Sequence, residues 1–403
     1  MDSATWYKHR RYLHFDTPVT VKKAVKIVTD PSSIKEHPFL PFLNYKIQSK
    51  KIFKDKTGIV TKKKDRPIAF AAHLDSHIYS YYCQQMSELY EKCIEGTSLE
   101  SSVLAFRALG KSNIDFANDA FNAIRLKGEC TAIGLDISGF FDNLDHKQLK
   151  ECWKSLLAKD SLPPDHFAVF KSITRYSQVD RNKLYNRLDI SLNNPPKAKR
   201  RICTIDQFRN IVRTEGFISS NKTGRGIPQG SPISAFLSNL YMIDFDKVVS
   251  AAVAEQGGIY YRYCDDMLVI VPTEWKSEIE YFVRDEIKKL KIDINTEKTE
   301  IRDFRIVDGV LKSDKPLQYL GFLFDGTQIL LRSSSLARYS ERMRRGVSLA
   351  KRVKYKRDKF RVAKGGIPSP SVYKRNLYEK YSHLGRRNFV RYGFRAAGIM
   401  DSR

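Results

Sequence analysis

Two short β-rich runs stand either side of a pair of adjacent aspartates. Ile259-Tyr260-Tyr261-Arg262-Tyr263 precedes Cys264-Asp265-Asp266, and Met267-Leu268-Val269-Ile270-Val271 follows it. Aromatic and β-branched runs broken once read as a hairpin with both acids at or beside the turn. Neighbouring carboxylates repel, and a bare turn gains nothing by stacking them between aromatic and aliphatic strands. A divalent cation removes that cost, and Mg²⁺ takes hard carboxylate oxygens together with substrate phosphates. A solvated acidic turn is the plain alternative.

Two further segments carry comparable constraints. Cys130-Thr131-Ala132-Ile133-Gly134-Leu135 is an apolar strand that delivers Asp136 at its end, and a helix is expected to begin near Asp145. A carboxylate at a strand end suits a metal ligand, although a cap or turn residue looks the same. Gly224-Arg225-Gly226-Ile227-Pro228-Gln229-Gly230-Ser231-Pro232 is a rigid loop with little side-chain bulk, followed by a helical run over 235–249. Its glycines would let a nucleotide or base pair approach the backbone, with Gln229 left to hydrogen-bond.

In this order the three segments resemble the catalytic motifs of reverse transcriptases. Asp136 with Phe141 matches the motif of the first catalytic aspartate, and Gly226-Ile227-Pro228-Gln229-Gly230-Ser231-Pro232 matches the template–nucleotide loop. Tyr263-Cys264-Asp265-Asp266 matches the Tyr-x-Asp-Asp box. Asn295-Thr296-Glu297-Lys298-Thr299 and Leu317-Gln318-Tyr319-Leu320-Gly321-Phe322 follow, the latter like a primer-grip hairpin. Upstream, Arg66-Pro67-Ile68 resembles the fingers hairpin, read here as two short strands around a basic turn at 62–67, and Phe106-Arg107 resembles another fingers motif. The resemblance covers about residues 50–330. The wording of the loop is similar to the bacterial branch: group II introns, retrons and defence-associated enzymes. No zinc-ligand spacing follows the motifs and the Val-Thr-Gly signature of retrons is absent, while Arg11-Tyr12-Leu13-His14-Phe15-Asp16, with Arg66-Pro67-Ile68 and Tyr79-Ser80-Tyr81-Tyr82, most resembles the defence-associated class.

The resemblance implies an α+β, right-hand polymerase fold of fingers, palm and thumb, with an antiparallel palm sheet and a basic helical thumb. The expected divisions are 1–128 for an N-terminal extension and fingers, 129–160 and 223–330 for the palm, 161–222 for an insertion, and 331–403 for the thumb. It implies RNA-directed DNA synthesis with two Mg²⁺ ions: one lowers the pKa of the primer 3′-hydroxyl, the other neutralises the triphosphate. Asp136 and Asp265 would be the principal ligands, with the Ile137 carbonyl completing one site and Asp266 in support. Lys62, Arg66 and Arg107 would clamp the triphosphate. Lys298 would protonate pyrophosphate, and Phe141 would exclude a 2′-hydroxyl. Retron-like or group II intron-like copying, template-independent extension and a non-catalytic RNA scaffold remain open alternatives.

Charge points to the same class of partner. The 403 residues carry 71 Lys+Arg against 45 Asp+Glu, a net +26, and such a field favours a polyanion. From Arg332 onward there are 21 basic and 4 acidic residues, so this tail holds +17 of the excess. Leu336, Tyr339, Met343, Val347 and Ala350 recur there at helical spacing until Gly365-Gly366 breaks the pattern. Arg342, Arg344, Arg345, Lys351 and Arg352 are the candidate nucleic-acid contacts, with tyrosines between the cations. The expected partners are a structured noncoding RNA template, the cDNA product and dNTPs; oligomeric state is left undetermined.

The same reading sets aside other classes. No stretch reaches the roughly 18 apolar residues of a membrane span, so no membrane role is expected. The N-terminus lacks the apolar core of a signal peptide, and six cysteines without a Cys-x-x-Cys pair suit reduced thiols in a bacterial cytoplasm better than zinc or disulfides. His73 and His77, four apart, lack the glutamate a zinc protease needs and are read as packed or surface histidines.

Overall fold

The computed structural model describes residues 4–55, 58–196 and 199–400, and side chains throughout those except 49–64. The described residues form twelve strands: β1 Phe42–Asp55, β2 Gly58–Phe70, β3 Cys130–Asp136, β4 Ser177–Asp180, β5 Ile218–Ser220, β6 Ile259–Tyr263, β7 Asp266–Val271, β8 Glu300–Val307, β9 Val310–Ser313, β10 Leu317–Tyr319, β11 Phe322–Phe324 and β12 Ile329–Leu331.

The central sheet runs β6-β7-β3-β8-β9, and every pairing in it is antiparallel. Side chains alternate across a strand, so an apolar residue at every position means that both faces are covered. Ile133, Leu135, Met267, Val269 and Val271 point into one core, shared with Phe236, Leu237 and Leu240 of the Ser234–Glu255 helix. Cys130, Ala132, Leu268 and Ile270 point into another, shared with the Asn113–Lys127 helix and with Phe322 and Phe324. The three-stranded sheet β10-β11-β12 closes that second core.

The second large sheet runs β2-β1-β4-β5. Here the structure corrects the expectation of two short strands around a basic turn: 58–70 is one continuous strand, and the connection falls at 56–57, between Asp55 and Gly58. Residues 62–67 therefore lie within β2, and the side chain of Lys62 is outside the described residues. The segment 161–222 packs on this sheet: β4 pairs parallel with β1 and β5 extends it, over a core of Leu43, Val179, Leu184 and Val212.

The His73–Ile94 helix crosses behind this sheet. Its N-cap position is Ala72, which has no side-chain oxygen, and Asp16 supplies the cap instead by accepting from the amides of His73 and Leu74 at 3.0 Å. The N-terminal segment is thereby fastened over His73 and His77, both buried; the His77 ring stacks on Tyr7 at 4.6 Å. The histidine pair is packing. The tail forms the Ser333–Val362 helix, ending before left-handed Gly365 as the sequence breaks imply, then the helices Arg375–Tyr381 and Phe389–Met400. Among the described residues no helix is long and apolar enough to cross a membrane.

One loop joins the two large sheets. The Ala69 amide of β2 donates to the Gln229 carbonyl at 2.8 Å, and the amides of Gly226 and Ile227 donate to the carbonyls of Leu144 and Phe141, each at 2.8 Å. Both glycines have positive φ, and neither has room for a side chain: a Cβ would lie 2.7 Å from the Asp142 oxygen at Gly226 and 2.7 Å from the Ala69 oxygen at Gly230. The absence of bulk thus lets the loop press against the protein's own backbone on two sides. Gly226→Ala should lower the free energy of unfolding by at least the about 1–3 kcal/mol of a left-handed L residue. A urea midpoint equal to the parent's would show that the loop moves freely.

Candidate functional site

The acidic hairpin is built as two strands joined by the two-residue turn Cys264-Asp265, with Tyr263 and Asp266 paired across it. Cys264 takes φ of 61°, the left-handed region that tight hairpins use at a central position and that a residue with a side chain adopts only when held there. What holds it is Arg262. This guanidinium is fully buried, and Nη1 donates to the Cys264 carbonyl at 3.2 Å and to Asn239 Oδ1 at 3.1 Å. Nε and Nη2 grip Asp246 at 2.7 and 2.5 Å, and Asp246 also accepts from the Tyr260 hydroxyl at 2.8 Å. Asn239 donates in turn to the Ala105 carbonyl, and the Leu104 amide donates to the Arg262 carbonyl. The Ser234–Glu255 helix, the hairpin and the 103–105 segment thus meet at one buried charge.

Register brings the three aspartates together. Asp136 at the end of β3 pairs with Asp266 at the start of β7, and the Ile137 amide donates to the Asp265 carbonyl at 3.1 Å. Desolvation, then the neighbouring Asp265 and Asp136 carboxylates, push the Asp266 carboxyl up to about 6, against the opposing pull of Lys298 and Arg332. Asp266 keeps an exposed face, so the crowd of like charges is the part of this shift that bears on chemistry. Lys298 Nζ holds both oxygens of Asp136, at 2.6 and 2.7 Å. The Asn295–Thr299 segment is seated for this by the Asn295 amide, which donates to the Asp136 carbonyl at 2.7 Å.

The donor set is hard oxygen, negatively charged and crowded, which suits a divalent cation that completes its shell with water and substrate phosphates. Among the described residues no three His, Cys, Asp or Glu side chains form a ready-made metal cage. Asp136, Asp265 and Asp266 would hold such an ion with outside ligands, once Lys298 releases Asp136.

The remaining expected site residues divide. Phe141 is half-buried beside Phe140, one turn past Asp136, and its carbonyl carries the Ile227 amide of the glycine-rich loop. Gln229 is half-buried in that loop, and Arg66 is exposed on β2. Arg107 is a correction. Its side chain is 3% exposed, with Nε and Nη2 on the Glu91 carboxylate and Nη1 on the carbonyls of Leu99, Glu100 and Val103. A guanidinium so committed ties a helix end and cannot clamp a triphosphate. Arg342, Arg344, Arg345, Lys351 and Arg352 are all exposed on the Ser333–Val362 helix, but not on one face. At 3.6 residues per turn, Arg344 and Lys351 share one direction, Arg345 and Arg352 another, and Arg342 a third.

Sequence reasoning missed Arg262, Asp246 and Asn239. The signal was present: Tyr260 and Arg262 alternate onto the same face of a strand whose neighbours are apolar, and Asp246 interrupts an apolar helix. A charge in such a place needs a partner.

A family model described as reverse transcriptase (RNA-dependent DNA polymerase) matches residues 54–324, two thirds of the chain. Among solved structures, the chain is similar to apo telomerase from Candida tropicalis truncated from its C-terminal domain (TM-score 0.47, 11% identity, 72% of this chain and 57% of that one). It is similar also to apo telomerase from Candida tropicalis (TM-score 0.45, 13% identity, 79% and 53%). A third is telomerase from Candida albicans in complex with a TWJ fragment of telomeric RNA (TM-score 0.42, 14% identity, 78% and 48%). The chain spans about half the length of these structures.

The buried pair yields a stability test. Asp246→Ala strands the Arg262 charge and should cost about 3–5 kcal/mol, whereas Arg262→Met combined with Asp246→Leu should recover most of that loss. Denaturant unfolding of the two variants checks this; equal losses would mean that the charge is not what makes Asp246 necessary.

Proposed function

The chain belongs to the reverse transcriptase family, and from that premise we propose that it is an RNA-directed DNA polymerase that extends a primer 3′-hydroxyl with dNTPs. The observation that carries this reading is the pairing of Asp136 with Asp266, with Asp265 at the adjoining turn, on one edge of an antiparallel sheet. A bound divalent ion pair would supply charge neutralisation of the triphosphate and a lowered pKa at the attacking hydroxyl. Asp136 and Asp265 present the ligands, and Asp266 sustains the negative potential that draws cations in. Lys298, held on Asp136 here, would be released if Asp136 held a cation and could then protonate the departing pyrophosphate. Arg66 meets the triphosphate from the side of β2, while the glycine-rich loop holds Phe141 under the sugar, where it opposes a 2′-hydroxyl. The exposed cations of the Ser333–Val362 helix follow the phosphates of the duplex without reading sequence.

Finer points belong to the same proposal. We take the ions to be Mg²⁺, as hard oxygen donors and phosphate favour. We take the template to be a dedicated, structured noncoding RNA, and the setting to be antiviral defence in a bacterial cytoplasm. Support comes from the likeness of the loop wording to the bacterial branch and from exposed basic residues outside the sheet motifs: Lys8 and Arg11 in the N-terminal segment, Arg200 and Arg201 in the other. Arg10 is not among them, since it donates to Ser76 and Ser80. Shape and backbone contacts of this kind suit folded RNA.

Asp136→Asn and Asp265→Asn should each lower nucleotide incorporation by several orders of magnitude while leaving RNA affinity nearly unchanged, because phosphate contacts elsewhere supply it. The assay supplies each dNTP alone and then all four; parent activity in either variant would overturn the metal assignment, and single-nucleotide tailing would mean synthesis without a template. For the dedicated template, the RNA encoded beside the gene should outcompete an unrelated folded RNA of equal length. Equal binding and copying of the two would remove that part of the proposal.

A further inference from the structure

The three helices of the tail line an open cavity of about 740 Å³. Six arginines converge on it: Arg338 and Arg342 from the Ser333–Val362 helix, Arg386 and Arg387 from the connection that follows the second helix, and Arg391 and Arg395 from the Phe389–Met400 helix. Lys380 adds a seventh cation. The one carboxylate in the lining, Glu379, is engaged by Arg375 at 3.3 Å. Among the described residues none of the six arginines is in an ion pair; Arg338 donates to the Ser334 carbonyl and Ser335 hydroxyl, and Arg395 reaches the Ser112 hydroxyl at 3.4 Å. The wall between them is a stack of rings, Tyr339 on Phe389 at 5.0 Å and Phe389 on Tyr392 at 6.2 Å, which continues onto Phe322 of the three-stranded sheet.

This arrangement differs from the rest of the tail. Arg344 with Lys351 and Arg345 with Arg352 point outward from a convex helix, as suits a rod of evenly spaced phosphates. The cavity instead gathers six arginines from three segments of the tail along one lining. Like charges so placed repel unless an anion joins them, and the planar fork of arginine fits phosphate oxygens bidentately. Several cations around one small volume match several negative charges on one short group, and the volume lies within the about 300–1,000 Å³ of small-ligand sites. We propose that this cavity binds a nucleoside 5′-polyphosphate group, carried by a free nucleotide or by the 5′ end of an RNA. The site is distinct from any triphosphate position at Asp136 and Asp265, because guanidiniums supply its charge and no divalent ion is needed; it stands whether or not the chain polymerises.

The test uses the full chain in EDTA, which silences metal-dependent nucleotide binding. Binding is measured for one short RNA made with a 5′-triphosphate and with a 5′-hydroxyl, and ATP serves as competitor. The triphosphate end should strengthen RNA binding about tenfold or more, as new charge-assisted contacts to arginine do. Arg387→Ala with Arg391→Ala should abolish that difference and leave the hydroxyl RNA unaffected. Should that pair unfold the tail, exposed Arg387→Glu carries the same comparison, with the melting temperature as control. Displacement by ATP identifies the free nucleotide as a source; a triphosphate advantage that ATP does not displace identifies the RNA end. Equal affinity for both RNAs without ATP binding overturns the proposal, as does an equal loss for both RNAs in the variants, which would make the arginines ordinary backbone contacts.

Discussion

A guanidinium with no access to water sets the geometry from which everything else at this site follows. Arg262 could not be buried without Asp246, because an unpaired charge in the interior costs several kcal/mol. Its two remaining contacts are then free to do something other than neutralise: they hold the Cys264 carbonyl and Asn239. The carbonyl contact keeps Cys264 in a left-handed conformation, and that conformation puts Asp265 at the turn with Asp266 opposite Tyr263. A surface ion pair would not serve, since solvent screening would leave it too weak to hold a strained turn.

On this rigid base sits a deliberately unfavourable cluster. Burial, then the neighbouring Asp265 and Asp136 carboxylates, raise the proton affinity of Asp266, and the structure answers with cations from two directions: Lys298, seated by the backbone of the Asn295 turn, and Arg332 at the start of the tail. The negative potential is therefore strong but buffered, and the Lys298 ammonium covers the Asp136 carboxylate where a divalent ion would bind. Rigidity under the hairpin and exchangeability above it are complementary requirements for binding cations together with a phosphate substrate.

The glycine-rich loop links that base to the second sheet. Gly226 and Gly230 lack side chains because protein backbone, at Asp142 and Ala69, occupies the space. The loop therefore sets the distance between β2, which carries Arg66, and the turn that carries Phe141. Groups expected to touch the two ends of one nucleotide are held by a single segment.

How much of this was legible follows from the range of each interaction. Strand runs, the ends of helices and the order Asp136, loop, Asp265-Asp266 were readable because side-chain alternation, turn chemistry and motif spacing are local, and the charge of the tail is a sum over the chain. Arg107 looked the same as a substrate-binding arginine, because nothing near it in sequence reveals that Glu91 and three carbonyls lie within reach. Where segment 161–222 would pack was not legible, because its parallel pairing with β1, more than a hundred residues away, leaves no mark in either strand. The partner of Arg262, the double docking of the loop and the gathering of six arginines around one cavity likewise depend on which distant segments fold against each other. Local chemistry named the acids and their order; only the packing of remote elements decided what holds them, what faces them and which cations are free for a ligand.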